Sequence, residues 1–194
     1  MHTDNSKIKD VFKGLSFSKE EIKIIESVLH KVKYKKASQL LRANDPGDIQ
    51  YYVFDGCLRL YYIDTNGKEH TVQFAVQDWW ICDATAFFYD AKAIMNIEAI
   101  SDATVYKLSK KDRDFLYLKI PKIESFFRKK LENVFASFQK RTIVNLSQNA
   151  AERYKFFVAT YPNIEQHIKN YHIASFLGIT TESLSRIRKD LTHK

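Results

Sequence analysis

The stretch 170–191, NYHIASFLGITTESLSRIRKDL, constrains the fold of this chain more than any other part of it. It reads as two short helices joined by a tight turn. Ile173, Ala174 and Leu177 fall at i, i+1 and i+4, so they share a face. Ala174 is small, as a close helix crossing requires. Gly178 lies just past the first helix, where a left-handed residue is easily placed. Thr180 suits the N-cap of the second helix, and Glu182 complements its positive end. Leu184, Ile187 and Leu191 form the inner face of that helix, with Thr181, Glu182, Ser185, Arg186 and Lys189 opposite. A helix held by its apolar side, offering hydroxyls, one carboxylate and cations outward, is what a DNA major groove accepts. In an ordinary helical hairpin the outward residues would merely be solvated. What separates the two readings is the coincidence of Ala, Gly, hydroxyl cap, Glu, Leu and Arg at these offsets.

Upstream the pattern differs. Residues 5–32 read as helical, with Ser18 as an N-cap before Lys19-Glu20-Glu21 and with Ile22, Ile25, Val28 and Leu29 at helical spacing. Residues 39–41, 50–54, 57–63 and 69–74 are short runs rich in Val, Ile, Tyr and Phe, and 96–100 and 104–108 add two more. Turn residues separate them, and Asn66-Gly67 between two runs is a strong hairpin signal. Short strands at this spacing predict a small antiparallel sandwich or barrel. From Ser109 the chain turns helical again. Phe127, Leu131, Val134 and Phe138 recur at +4, +3 and +4, a heptad seam flanked by charged and polar residues such as Arg128, Lys140 and Arg141. A further helix from about Ala150 points Tyr154, Phe157 and Val158 inward and ends at Pro162.

Charge divides along the same lines. Residues 1–109 carry 14 Lys and Arg against 15 Asp and Glu, residues 110–149 carry 10 against 4, and residues 150–194 carry 7 against 4. A near-neutral front and a basic back suit a back half that faces a polyanion. The 194 residues make one large domain or two small ones. No 18-residue apolar stretch spans a bilayer, and the polar N-terminus has no apolar core of a secretory signal. With two cysteines, Cys57 and Cys82, a reduced, cytoplasmic setting is expected.

At Ile173-Ala174, Leu177-Gly178-Ile179-Thr180 and Glu182-Ser183-Leu184-Ser185-Arg186 the chain resembles the helix-turn-helix of the cyclic AMP receptor protein/FNR (Crp/Fnr) family of bacterial transcription regulators. The order of parts matches too: strands over 34–108, the seam over 123–141 and the motif over 170–191. The resemblance implies an α+β chain. An effector β-roll of the cyclic-nucleotide-binding type, jelly-roll-like and antiparallel, would occupy 1–115, a dimerisation helix 116–147, and a helix-turn-helix domain with a reduced or absent wing 148–194. It implies a homodimer that binds double-stranded DNA through Thr180, Thr181, Glu182, Ser185, Arg186 and Lys189, with Phe127, Leu131, Val134 and Phe138 in the dimer helix and RNA polymerase as a further partner. Arg186 and Glu182 match base-contacting positions. Thr181 stands where the cyclic AMP receptor protein has a longer basic residue, so the operator should differ.

The effector pocket departs from the family pattern. It corresponds to Trp80, Cys82, Asp83, Ala84, Thr85, Lys92 and Ala93. The family's Gly-Glu pair is replaced by Cys82-Asp83, and no Arg occurs between Arg59 and Arg113. Lys92 lacks the planar fork of a guanidinium. Cyclic AMP is therefore not the expected effector, and the effector itself is left unassigned. Two cysteines cannot hold an iron–sulfur cluster. A metal enzyme on a β-roll would need clustered His and carboxylate ligands, yet of His2, His30, His70, His167, His172 and His193 only His70 falls in the expected strands. No catalytic serine elbow and no phosphate-binding loop is present, so no enzyme is expected. The competing reading is a ligand-binding or interaction module of the same fold with little DNA-binding activity.

Overall fold

A computed structural model describes residues 8, 10–162, 164–166 and 168–192. Residues 5–7 of the expected N-terminal helix lie outside them, as do His2, His167 and His193. The described chain forms two compact units, and the division is discontinuous. One unit runs to Tyr61 and resumes over Phe74–Lys130; the other joins Tyr62–Gln73 to the chain from Leu131 onward.

The first unit contains an antiparallel roll of two sheets. Its strands are β1 (His30–Tyr34), β2 (Gln39–Leu41), β3 (Ile49–Asp55), β4 (Leu58–Ile63), β5 (Glu69–Ala75), β6 (Trp80–Ile81), β7 (Asn96–Ala99) and β8 (Ala103–Ser109), of which β4 and β5 extend into the second unit. They are ordered β1-β8-β3-β6 and β2-β7-β4-β5. In β3, Tyr51, Tyr52 and Val53 are all buried, because both faces of its sheet are covered. That is why this strand reads as an apolar run and not as an alternation. The Tyr51 hydroxyl donates to the carbonyl of Leu40 at 2.8 Å and so ties one sheet to the other. Tyr52, Tyr106 and Leu108 pack outward against Ile25, Leu116, Ile123 and Phe126 of the helices and against Phe12 and Ile120 beside them.

The helices of this unit are stopped by local chemistry. Helix α1 (Lys19–Val28) starts in a capping box: Ser18 Oγ accepts from the Glu21 amide, and Glu21 accepts from the Ser18 amide at 2.7 Å. It stops at Val28, four residues short of the sequence reading. His30–Tyr34 instead forms β1, in register with β8 through Val32 and Val105. The alternation HKVKY turns Val32 and Tyr34 to one side and lysines to the other, as suits a strand at a sheet edge. His30 thereby joins the strands alongside His70. Helix α2 (Ala84–Tyr89) follows β6, neither of which was expected, and α3 (Lys110–Lys119) is capped by Ser109. Ile120 interrupts the chain, and Pro121 opens α4 (Pro121–Ser147), 27 residues and about 40 Å long. A proline at the first helical position has no amide to leave unpaired.

The second unit holds the tip of the β4–β5 hairpin, the later part of α4, helices α5 (Ala150–Thr160), α6 (Asn170–Leu177) and α7 (Thr181–Thr192), and a 3-10 turn at Ile164–Gln166. At the hairpin tip Asp64 accepts from the amides of Asn66 and Lys68, with Gly67 at φ +77°. Asp64 also meets His70 Nε2 at 2.7 Å. Phe157, Ile173 and Leu184 are fully buried, and Phe157, Tyr161 and Phe176 form a ring triangle with centroids 5.3–5.8 Å apart.

Candidate nucleic-acid interface and effector cassette

Helices α6 and α7 take the arrangement their residues imply. Ile173, Ala174 and Leu177 are buried on α6. Gly178 ends it in the left-handed region, φ 67° and ψ 35°, while the Ile179 amide donates to the Ala174 carbonyl at 3.0 Å. Thr180 Oγ1 accepts from the Ser183 amide at 3.2 Å, capping α7. Leu184 is fully buried beneath α7, whereas Glu182, Ser185, Arg186 and Lys189 are exposed and Thr181 is half-buried. The Glu182 carboxylate takes its own backbone N–H and the hydroxyls of Thr180 and Thr181, which hold it below the ordinary carboxylate range. It therefore stays ionised at neutral pH. Ser185 Oγ donates back to the Thr181 carbonyl at 3.0 Å. Among the described residues neither Arg186 nor Lys189 is in an ion pair, so both side chains are available to a polyanion.

Two arginines of the basic back part, Arg188 and Arg141, have partners within the second unit. Arg188 faces inward from α7. Its Nε donates to the Tyr154 hydroxyl at 3.1 Å, Nη1 to Asn170 Oδ1 at 2.7 Å and Nη2 to Glu165 Oε2 at 3.1 Å. It thus ties α7 to α5 and to the start of α6. The Tyr154 hydroxyl donates to the same Glu165 oxygen at 2.5 Å, and the group lines an open cleft of about 560 Å³. Arg141 stacks on Phe176 at 4.9 Å and donates to the carbonyl of Val72. Neither role was legible from the heptad or charge pattern, since both depend on partners remote in sequence.

The expected dimer seam divides. Phe127 is half-buried in its own unit, 5.0 Å from the Trp80 ring and 6.1 Å from that of Phe12. Leu131, Val134 and Phe138 are 51%, 60% and 58% exposed, joined by Phe135 at 60%. Four large apolar side chains at i, i+3, i+4 and i+7 thus form one uncovered stripe on α4.

In the cassette, the segment of the expected effector pocket, Thr85 hydrogen-bonds Asp83, as do Ala86, Ile94 and Met95, which the sequence reading did not name. The Asp83 carboxylate is fully buried and caps α2. One oxygen accepts from the Thr85 amide at 3.1 Å, the Thr85 hydroxyl at 2.6 Å and the Ala86 amide at 3.4 Å. The other accepts from the amides of Ile94 at 2.8 Å and Met95 at 3.0 Å. Burial pushes its pKa up, but the Thr85 hydroxyl and the amides of Ile94, Met95 and Ala86 outweigh this and hold it below the ordinary range. A loop closes over the cassette. Asn44 and Asp45 exchange backbone hydrogen bonds with Ala93, Pro46 bridges to Lys92, and a Cβ on Gly47 would sit 2.1 Å from that of Ala86. Trp80 joins the aromatic core with Tyr52 and Phe127, and burial pushes the Cys82 thiol well up. Among the described residues no group of three His, Cys, Asp or Glu side chains is placed to hold a metal ion, and no helix is long and apolar enough to cross a membrane.

Residues 31–118 match the family model of the cyclic nucleotide-binding domain. No curated protein matches the chain. Among solved structures it is similar to FixK2 from Bradyrhizobium japonicum, with TM-score 0.75 and 16% identity over 86% of this chain and 85% of that one. The c-di-GMP responsive global regulator CLP of Xanthomonas campestris gives 0.71 and 12% over 91% and 92%. A protein described as a transcriptional regulator of the crp/fnr family, from Eubacterium rectale, gives 0.69 and 17% over 91% and 84%. Two antiparallel sheets, a long helix and a helical C-terminal unit follow one another here as in those structures, so the chain has the fold of the Crp/Fnr transcription regulators.

Proposed function

We propose that this protein is a homodimeric transcription regulator that reads double-stranded DNA with α7. The observation that carries this is the split of α7 itself. Leu184 and Arg188 hold one side in the unit, and the other side presents Glu182, Ser185, Arg186 and Lys189 to solvent. Arg186 has the fork for guanine O6 and N7, and the ionised Glu182 can accept from a cytosine amino group. Ser185 and Lys189 suit phosphates, with Thr180 and Thr181 at the helix start beside them. The uncovered stripe of Leu131, Val134, Phe135 and Phe138 supports pairing of α4 with its symmetry copy. A two-fold dimer sets its two reading helices about one DNA turn, roughly 34 Å, apart. A gel-shift against genomic fragments, followed by selection from a randomised-site library, tests the reading. A palindromic preference is expected. Failure to shift any fragment at low salt would leave the interaction module as the better description.

The roll does not take cyclic AMP in this reading. Four backbone amides of the cassette already meet the chain's own carboxylate. A phosphate entering there would meet the Asp83 charge. Calorimetry with cyclic AMP should show no saturable heat at micromolar ligand. Tight binding would refute the point.

A further inference from the structure

The tip of the β4–β5 hairpin, Tyr62–Gln73, belongs to the helical unit. Among the described residues β5 is the last strand of its sheet, so no further strand adjoins its outer edge there. Ser175, on α6, meets that edge. The Thr71 amide donates to Ser175 Oγ at 2.9 Å, the Thr71 hydroxyl donates to Ser175 Oγ at 3.2 Å, and Ser175 Oγ donates to the Glu69 carbonyl at 2.8 Å. Residues 69 and 71 turn their backbone groups to the same side of a strand, so one hydroxyl stands where an adjoining strand would have been. Arg141 adds an independent tie. It is half-buried, stacks on Phe176 of α6 and donates to the Val72 carbonyl. The contacts span 104–106 residues of sequence for Ser175 and 69 for Arg141. Ser175 is half-buried on α6 beside the buried Ala174, and its bonds run to the hairpin, so this fastening uses none of the exposed residues of α7.

We infer that Ser175 is a positioning residue for DNA reading: it fastens α6 to the hairpin edge, so that hairpin, α6 and α7 move as one body. The DNA half of this inference rests on the function proposed above; the fastening itself does not. The fastening is therefore measured first, by amide exchange on the full-length chain. Ser175→Ala removes the acceptor of the Thr71 amide, and exchange there should quicken roughly tenfold, the equivalent of one hydrogen bond. Ser175→Thr keeps the hydroxyl and should restore protection. Unchanged exchange at Thr71 in Ser175→Ala would overturn the fastening.

DNA binding is measured next, on the site selected by the wild type. Ser175→Ala should weaken binding by about three- to tenfold with base preference and salt slope unchanged. A disulfide between Thr71→Cys and Ser175→Cys should preserve binding. Two results would overturn the positioning role: binding lost on cross-linking and recovered on reduction, or unchanged DNA affinity in a Ser175→Ala protein whose Thr71 amide is released. A wild type that binds no DNA refutes the proposed function and the positioning role together, while the exchange result still decides the fastening.

Discussion

Replacing Asp83 with Ala removes the acceptor from four amides and one hydroxyl that converge within α2 and residues 94–95. Thr85 Oγ1 can rotate to a new partner, and the Ala86 contact at 3.4 Å is long, so three amides dominate: those of Thr85, Ile94 and Met95. Hydrogen bonds to a charged acceptor each stabilise by about 1.5–3 kcal/mol. Water admitted to the new space recovers part of the loss, which leaves a net cost of about 3–5 kcal/mol. For a chain of this size that lowers Tm by roughly 6–20 °C. Differential scanning calorimetry at pH 7 gives the comparison. The pH dependence supplies a second reading. The folded-state pKa of Asp83 is depressed, so its contribution is complete above the unfolded value, about 3.9, and is lost as pH falls through the lower folded value. The wild type should therefore lose this increment only in strong acid, and Asp83→Ala should lack that part of the acid slope. If Asp83→Ala melts within about 2 °C of the wild type, the carboxylate is not the centre of the cassette.

Arg186→Ala should cost roughly 1–3 kcal/mol per half-site and relax preference at one base pair, measured on a randomised-site library. Lys189→Ala should weaken all sequences about equally and lower the salt slope by roughly one per half-site; a uniform loss from Arg186→Ala would remove its base-reading role. Leu131→Glu with Phe138→Glu should give folded monomers in sedimentation, whereas Phe127→Glu should lower the melting temperature, because only Phe127 is packed in the aromatic core. A wild type already monomeric on DNA would refute the α4 dimer. Arg188→Ala leaves Glu165 without its ion pair and should cost about 1–3 kcal/mol of stability in urea, with base preference in DNA binding retained.

The α6–turn–α7 motif was fully legible because every determinant is local. Gly178 at a left-handed position, Thr180 as cap and Leu184 beneath are each decided within one helical turn of their neighbours. The Asn66-Gly67 hairpin, the Ser18 cap and the helical start at Ser109 were legible for the same reason. β1 was missed because α1 and β1 abut with only Leu29 between them, and no Gly or Pro marks the change. Phe127 was read into the seam because heptad spacing cannot tell a residue facing a second copy from one facing its own roll.

The sequence by itself determined the order of the parts, the polar outer face of α7 and the lack of any Arg between Arg59 and Arg113. Those follow from residue identity and from periods of two to seven residues. Tertiary structure alone decided which polar groups meet. Asp83 gathers amides two to twelve residues away, Arg188 reaches Tyr154 and Glu165, and Ser175 reaches a strand edge more than a hundred residues upstream. The physical reason is that a buried donor or acceptor must find a partner wherever the folded backbone presents one, and sequence separation places no limit on that choice.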